Sequence, residues 1–400
     1  MKLIEPAKRI RGVEEYYFSR KLAEVRRLDR PERPIINLGI GSPDLAPAEA
    51  VVQALCHTAQ QPGNHGYQNY KGTPALRLAI ADFMQRVYGV RLDAEQSILP
   101  LMGSKEGIMH ITMAFVNPGD EVLIPDPGYP TYAAVTKLAG ATAVTYDLKE
   151  ETGWSIDVTS LRQRDLSRVK VMWINFPHMP TGTVASLQQL TELVALARER
   201  NFLLVNDNPY SLILNEEPRS VLASAGAEGV ALELNSLSKS HNMAGWRIGW
   251  LAGRSEYVDA VLRVKSNMDS GMFLGLQHAA VEALNSGPEW FDTLNATYRQ
   301  RQQVATKIMG VLGCNCAEHQ SGLFLWGRAP VPAPDVEAWL NRVLHEAGVF
   351  ITPGFIFGNN GRQFIRLSLC ATEAKLNEAL QRLQQWQLEN SYQHAIRQEI

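Results

Sequence analysis

Through the middle of this sequence, short β-branched runs that stop at turn residues alternate with helix-length amphipathic stretches. No other feature restricts the fold as much. Glu121-Val122-Leu123-Ile124 is entered from the turn Asn117-Pro118-Gly119-Asp120 and halted by Pro125. Residues 169–175 form a second run, halted by Pro177. A helix is predicted over 187–200, because Leu187, Leu190, Leu193, Val194 and Ala197 recur at three-to-four spacing. Residues 202–205, 230–234 and 247–252 continue the series of strands. Strand, crossover, strand predicts an α/β fold: a mostly parallel sheet covered by helices, with ligands beyond the carboxyl ends of its strands. Asn175, Asp207 and Lys239 stand just past the ends of these runs.

The character changes after about residue 285. A long helix is expected from Trp290 to about Leu312, then a strand over 321–326, a helix over 336–347, strands over 348–351 and 364–369, and a closing helix over 373–386. This reads as a smaller α+β unit. The expected division is a large domain over 46–285 and a small domain from 1–45 together with 286–400. No internal repeat or low-complexity tract interrupts it.

Composition narrows the function classes. The 39 basic and 41 acidic residues leave a net charge of -2 over 400 residues, which gives no reason to expect a nucleic-acid or polybasic membrane partner. No apolar run reaches the roughly 18 residues of a membrane span, and the N-terminus has no apolar signal core. Cys56, Cys314, Cys316 and Cys370 are scattered and lack metal-ligand or redox spacing. A cytoplasmic chain without a metal site is the expectation.

Four segments carry chemistry. In Ser236-Leu237-Ser238-Lys239-Ser240 a lysine follows a buried strand, lies between hydroxyls and shares its segment with Arg247. Desolvation and a nearby cation lower an amine's pKa and make it a nucleophile able to form a Schiff base. Asp207-Asn208-Pro209-Tyr210 is either an Asp-initiated turn or a carboxylate facing a cationic heterocycle, with Tyr210 donating to a phenolate on the same ring. Gly103-Ser104-Lys105-Glu106-Gly107 opens a helix whose free N–H groups suit an anion. Arg366, between apolar strand residues, pairs either with a protein carboxylate or with a substrate one. A phosphate site, a partner for a ring nitrogen, a Schiff-base lysine and a carboxylate clamp together describe the needs of pyridoxal phosphate.

With these residues in place, the sequence resembles the class I/II aminotransferases of the aspartate-aminotransferase fold type, fold type I of the pyridoxal-phosphate enzymes. Gly41-Ser42-Pro43-Asp44, Tyr67 through Arg77, Gly103 to Gly107, Asp126-Pro127-Gly128-Tyr129-Pro130, Pro180-Thr181-Gly182, Asp207 to Tyr210, Ser236 to Lys239, Gly245 to Gly249 and Pro353-Gly354 through Arg366 fall in the family's order. The lysine segment and the Tyr-Pro-Thr-Tyr stretch look most like the alanine and LL-diaminopimelate aminotransferase branch. The resemblance implies that Lys239 binds the cofactor covalently and shuttles the proton at the substrate α-carbon. Asp207 would keep the ring nitrogen protonated, Tyr210 and Asn175 would flank the ring, and Tyr129 would stack on it. Ser104, Lys105, Ser236 and Arg247 would hold the phosphate, and Tyr67 would reach the neighbouring subunit's cofactor in a homodimer. Arg366, aided by the backbone of Gly41, would clamp the substrate carboxylate. An amino acid and a 2-oxo acid exchange an amino group in the implied reaction.

One residue departs from the family pattern. Met179 precedes Pro180-Thr181-Gly182 where the family usually has Asn, and a thioether cannot donate a hydrogen bond. The ring's phenolic oxygen then leans on Tyr210 unless His178, Asn175 or water substitutes. Two competing readings stand beside transamination: a C–S β-lyase using the same residues, and a non-catalytic module on this fold. The segment Asn267 to Phe273 supplies no second cation for a dicarboxylate, so an apolar or broad amino donor is expected. The stretch Glu14-Glu15-Tyr16-Tyr17-Phe18-Ser19-Arg20 is a candidate cover for the site, and His241 reads as a packing residue.

Overall fold

The computed structural model describes residues 3–10 and 17–398, with residues 391–398 as backbone only. Its strands, in chain order, are β1 (Ile36–Asn37), β2 (Ile98–Leu101), β3 (Glu121–Asp126), β4 (Thr142–Asp147), β5 (Val169–Ile174), β6 (Leu203–Asp207) and β7 (Ala231–Ser236). They continue with β8 (Gly249–Gly253), β9 (Asn315–Cys316), β10 (Phe324–Arg328), β11 (Val349–Phe350), β12 (Thr352–Pro353) and β13 (Phe364–Ser368).

Seven strands form the central sheet in the order β2-β8-β7-β6-β5-β3-β4. Only β8 runs against its neighbours in that sheet. The central strands are apolar on both faces because helices cover both: every residue of β6 and β7 is buried, and in β5 only Lys170 is exposed. Parallel pairing sets Ile174 opposite Asn206 and Asp207 opposite Leu234. The strand ends therefore align, and whatever follows β5, β6 and β7 converges on one edge.

The predicted helix over 187–200 forms as Leu187–Arg200. The Ser186 hydroxyl accepts from Gln189 N at its start, and Asn201 ends it in the left-handed region. Leu190, Leu193, Val194, Leu196 and Ala197 are the buried face.

A two-stranded sheet pairs β1 with β11, and a four-stranded sheet has the order β12-β13-β10-β9. The β1 pairing brings residues 36–37 against 349–350. Here the boundaries shift from expectation. The strand expected from 321 begins at Phe324, because Ser321 and Gly322 form a turn in which Gly322 has φ +87°. The helix expected over 336–347 is α-helical to Arg342 and closes with a π-turn over Val343–Ala347. The last helix runs on from Trp386 to Gln398. Two strands went unpredicted in the central sheet. β2 contains Pro100, which an edge strand tolerates, and β4 at the opposite edge is mostly exposed or half-buried. Among the described residues, no helix is long and apolar enough to cross a membrane.

One ion pair, buried on its arginine side, ties the N-terminal turn to the C-terminal half. Arg301, on the helix Pro288–Val311, donates from Nη1 and Nη2 to both Asp44 oxygens at 2.6 and 2.9 Å, and Nη1 also donates to Leu369 O. The Arg301 side chain is 4% exposed. Asp44→Ala should therefore lower the unfolding free energy by about 2–3 kcal/mol by stranding that guanidinium. Urea titration checks this: the midpoint should fall with the m-value unchanged.

Candidate active site

At the aligned strand ends lies a cavity of about 640 Å³. Asp207, the last residue of β6, is 5% exposed at its wall. The Tyr132 hydroxyl donates to Asp207 Oδ2 at 2.9 Å, and the Tyr132 ring stacks on Trp173 with centroids 5.1 Å apart. Oδ1 is buried with no hydrogen-bond partner. Burial pushes this carboxyl up to about 6, against the opposing pull of the Tyr132 and Ser104 hydroxyls. An unpartnered carboxylate oxygen at a cavity wall suits a cationic N–H, and a protonated pyridine supplies one.

Lys239 sits three residues past β7, in the single turn Leu237–Ser240. Its Nζ donates to Gly41 O at 2.5 Å. Burial lowers the pKa of this amine above all; Cys370 opposes it, and the Arg366 and Arg247 charges act with the burial. An amine lowered in this manner is nucleophilic.

Between these groups is a cup for an anion. Gly103 (φ +87°) precedes the helix Ser104–Phe115, and the first turn of a helix presents N–H groups that suit an anion. A Cβ on Gly103 would lie 2.2 Å from Arg247 Nη2, so glycine is required both by the backbone and by the guanidinium's approach. Arg247 itself holds φ +57°, an uncommon conformation for a side chain of its size. It donates from Nη1 to Ala244 O at 2.9 Å and to Ser238 Oγ at 3.4 Å. Ser236 Oγ donates to Ser238 Oγ and accepts from Ser238 N. Helix N–H groups, two hydroxyls and a guanidinium fit a phosphate dianion. The donor set thus fits pyridoxal phosphate at both of its ends.

Arg366, on β13, is 5% exposed. Its Nη2 donates to Gly39 O at 2.7 Å, and its guanidinium carbon lies 3.9, 4.7 and 5.6 Å from the ring centroids of Phe324, Phe357 and Phe18. Arginine over aromatic faces is stabilised by the ring quadrupoles.

Of the residues singled out from sequence, Gly41, Ser104, Lys105, Tyr129, Asn175, Asp207, Tyr210, Ser236, Lys239, Arg247 and Arg366 all line this cavity. Tyr67 does not: it is 93% exposed on the surface of its own chain. Asn175 is engaged with the backbone, donating from Nδ2 to Asp207 O at 2.5 Å and accepting from Met179 N at 2.9 Å. His178 is turned to the Thr181 hydroxyl at 2.8 Å, and burial pushes it down to about 3, so it is neutral. Tyr210 is raised well above its ordinary range by burial. His241 is buried beside Phe83 and Phe291 and pushed down to about 3, a packing residue in its geometry.

Sequence reasoning missed Tyr132, Ser238, Phe324 and Phe357. For the first two a signal existed, since Ser238 adjoins the lysine and Tyr132 lies one helical turn past Tyr129. Of the N-terminal stretch 14–20, Phe18 and Ser19 line the cavity, joined by Leu22 beyond it, while Glu14, Glu15 and Tyr16 lie outside the described residues. Among the described residues, Glu106, His110 and Asp269 bring ligand-type atoms within 4.8 Å of one another. There Lys265 Nζ, 2.8 Å from Asp269, already supplies the positive charge.

Comparison with known proteins agrees with this geometry. Residues 33–383 match the family model described as aminotransferase class I and II. The LL-diaminopimelate aminotransferase of Desulforudis audaxviator is 40% identical over 94% of this chain and 96% of its own length. That of Moorella thermoacetica is 39% identical over 95% and 98%. Among solved structures, apo-BacF from Bacillus subtilis superposes with a TM-score of 0.91 at 32% identity, covering 96% of this chain and 99% of that one. An aminotransferase from Staphylococcus aureus gives 0.87 at 28% identity, over 96% and 99%. Fold, cavity and relatives agree, and the chain belongs to the class I and II aminotransferases, pyridoxal-phosphate enzymes that move an amino group between an amino acid and a 2-oxo acid.

Proposed function

We propose that the cavity residues divide this transamination as follows. When bound, pyridoxal phosphate supplies an aldehyde for amine capture and a ring that withdraws electrons from the donor's α-carbon. Lys239 Nζ would attach the cofactor and carry the proton to and from that α-carbon. Asp207 would hold a proton on the ring nitrogen, and Tyr210 and Tyr129 would hold the ring, Tyr210 as a donor to its oxygen and Tyr129 against its face. Asn175 orients the end of β6 through its bond to Asp207 O. Ser104 and Lys105, through their backbone, hold the phosphate with Ser236 and Arg247. Arg366 binds the α-carboxylate of donor and acceptor, with the Gly41 backbone beside it. The observation that carries this reading is the unpartnered Asp207 oxygen in one cavity with the Lys239 amine and the Arg366 guanidinium.

The same reading extends to the surroundings. Residues 46–285 act as a large domain, with 1–45 and 286–400 as a small one. Tyr67, 93% exposed, reaches the phosphate of a partner's cofactor in a homodimer. Four free thiols support a reducing, cytoplasmic location. Phe18, Leu22, Ile40, Phe324 and Phe357 give the cavity an apolar lining. This favours an apolar or broad amino donor over the diaminopimelate in the relatives' names.

Three outcomes are expected. Borohydride reduction of cofactor-loaded protein should leave a pyridoxyl mass on Lys239, and none in Lys239→Ala, which should lose transamination. In a donor panel with 2-oxoglutarate, leucine or phenylalanine should react with higher kcat/KM than LL-diaminopimelate; the reverse order would reject the apolar assignment. The third outcome concerns pH. Because the Asp207 carboxyl is raised to about 6 from 3.8, its ionisation costs stability progressively between about pH 4 and pH 6 and fully above. Cofactor-free Asp207→Asn should thus be more stable than wild type at pH 8, on the order of 2–3 kcal/mol, with the gap closing near pH 4. Urea unfolding at both pH values checks the sign.

A further inference from the structure

Met179 is 5% exposed in the cavity wall. Its backbone is fixed, since Met179 N donates to Asn175 Oδ1 at 2.9 Å and Asn175 donates in turn to the carbonyl of Asp207. Its side chain reaches across to the other sheet. Arg366 Nη1 donates to Met179 Sδ at 3.2 Å, while Nη2 donates to Gly39 O at 2.7 Å. The two terminal nitrogens of the guanidinium are thus each held by an acceptor, one hard and one soft. Ring contacts press on the group but resist its rotation about its own normal only weakly, whereas hydrogen bonds at both terminal nitrogens resist it directly. Sulfur is the one atom of the Met179 side chain that accepts a hydrogen bond.

We propose that Met179 is a positioning residue for Arg366: its sulfur lone pair, rather than its bulk, sets the orientation in which the guanidinium meets a substrate α-carboxylate. The inference rests on the reading of Arg366 as the carboxylate clamp. It gives the thioether a role as acceptor at a position where it cannot be a donor.

The test uses two variants of the holoenzyme. Met179→Leu keeps the volume and removes the acceptor, a swap cores tolerate well. Met179→Gln restores an acceptor oxygen at similar reach. Two unreactive probes are titrated by calorimetry, 3-phenylpropanoate and 3-phenylpropan-1-ol, which share a body and differ in the carboxylate. Met179→Leu should weaken 3-phenylpropanoate about five- to tenfold, the size of one ordinary hydrogen bond. It should raise KM for the amino donor by a similar factor with kcat within about twofold, as expected for an interaction made equally in ground and transition states. Met179→Gln should bring both values back toward wild type, and the alcohol should bind all three proteins alike. Equal 3-phenylpropanoate affinity in Met179→Leu and wild type would overturn the proposal. So would equal weakening in Leu and Gln variants, or equal weakening of both probes, because either would assign the effect to packing. Arg366→Met separates the two claims. If it leaves 3-phenylpropanoate binding intact, the clamp reading fails and the inference with it. If it abolishes binding while Met179→Leu changes nothing, the inference alone fails.

Discussion

The carboxylate of Asp207 is buried in the cavity wall, and the rest of the site is arranged around the charge that this position calls for. Burial drives the group toward its neutral form, and the Tyr132 and Ser104 hydroxyls offset this only in part. A cation brought against the second oxygen would reverse the balance, because a buried carboxylate and a buried cation each remove the other's desolvation cost. Parallel strands in register make the position available. With β5, β6 and β7 ending together, the amine of Lys239 and the hydroxyl of Ser236 arrive on the same edge without any long loop to place them.

The turn after β1 and strand β13 bring in the remaining groups. Lys239 meets the carbonyl of Gly41, and Asp44 in the same turn is clasped by Arg301. Arg366 meets the carbonyl of Gly39 and the sulfur of Met179. Gly41 belongs here for a steric reason: a Cβ there would fall 2.1 Å from the Phe324 ring. A short stretch of backbone from 39 to 44 thus touches the amine, the guanidinium and the ion pair at once. Small displacements of that stretch act on all three.

Much of this was legible in the sequence, and the reasons are local. Buried strands announce themselves as continuous apolar runs bounded by proline and glycine, so β3, β5, β6 and β7 were found within a few residues. Edge strands carry no such signal, and β2 and β4 were missed because one holds a proline and the other is half open to water. Lys239, Asp207 and Arg366 stood out because an ionisable residue next to a buried strand is costly without a purpose. The place of Tyr132, one turn past Tyr129, carried a signal, but its partner did not: Asp207 lies 75 residues away, and nothing in the spacing of either segment points to the other. Met179 could be read only for what it lacks, a donor. Its contact with a guanidinium 187 positions further on arises from tertiary packing alone.

Phe18 and Leu22 reach the cavity from the helix Tyr17–Leu28, a segment separate from the stretch between Ser104 and Arg247 that carries the anion cup, the lysine and the carboxylate. Part of the apolar wall is therefore encoded far upstream of that stretch, and the rest, Phe324 and Phe357, downstream of it. Substitutions at 18 and 22 alter that wall without changing a residue of the cup, the lysine or the carboxylate.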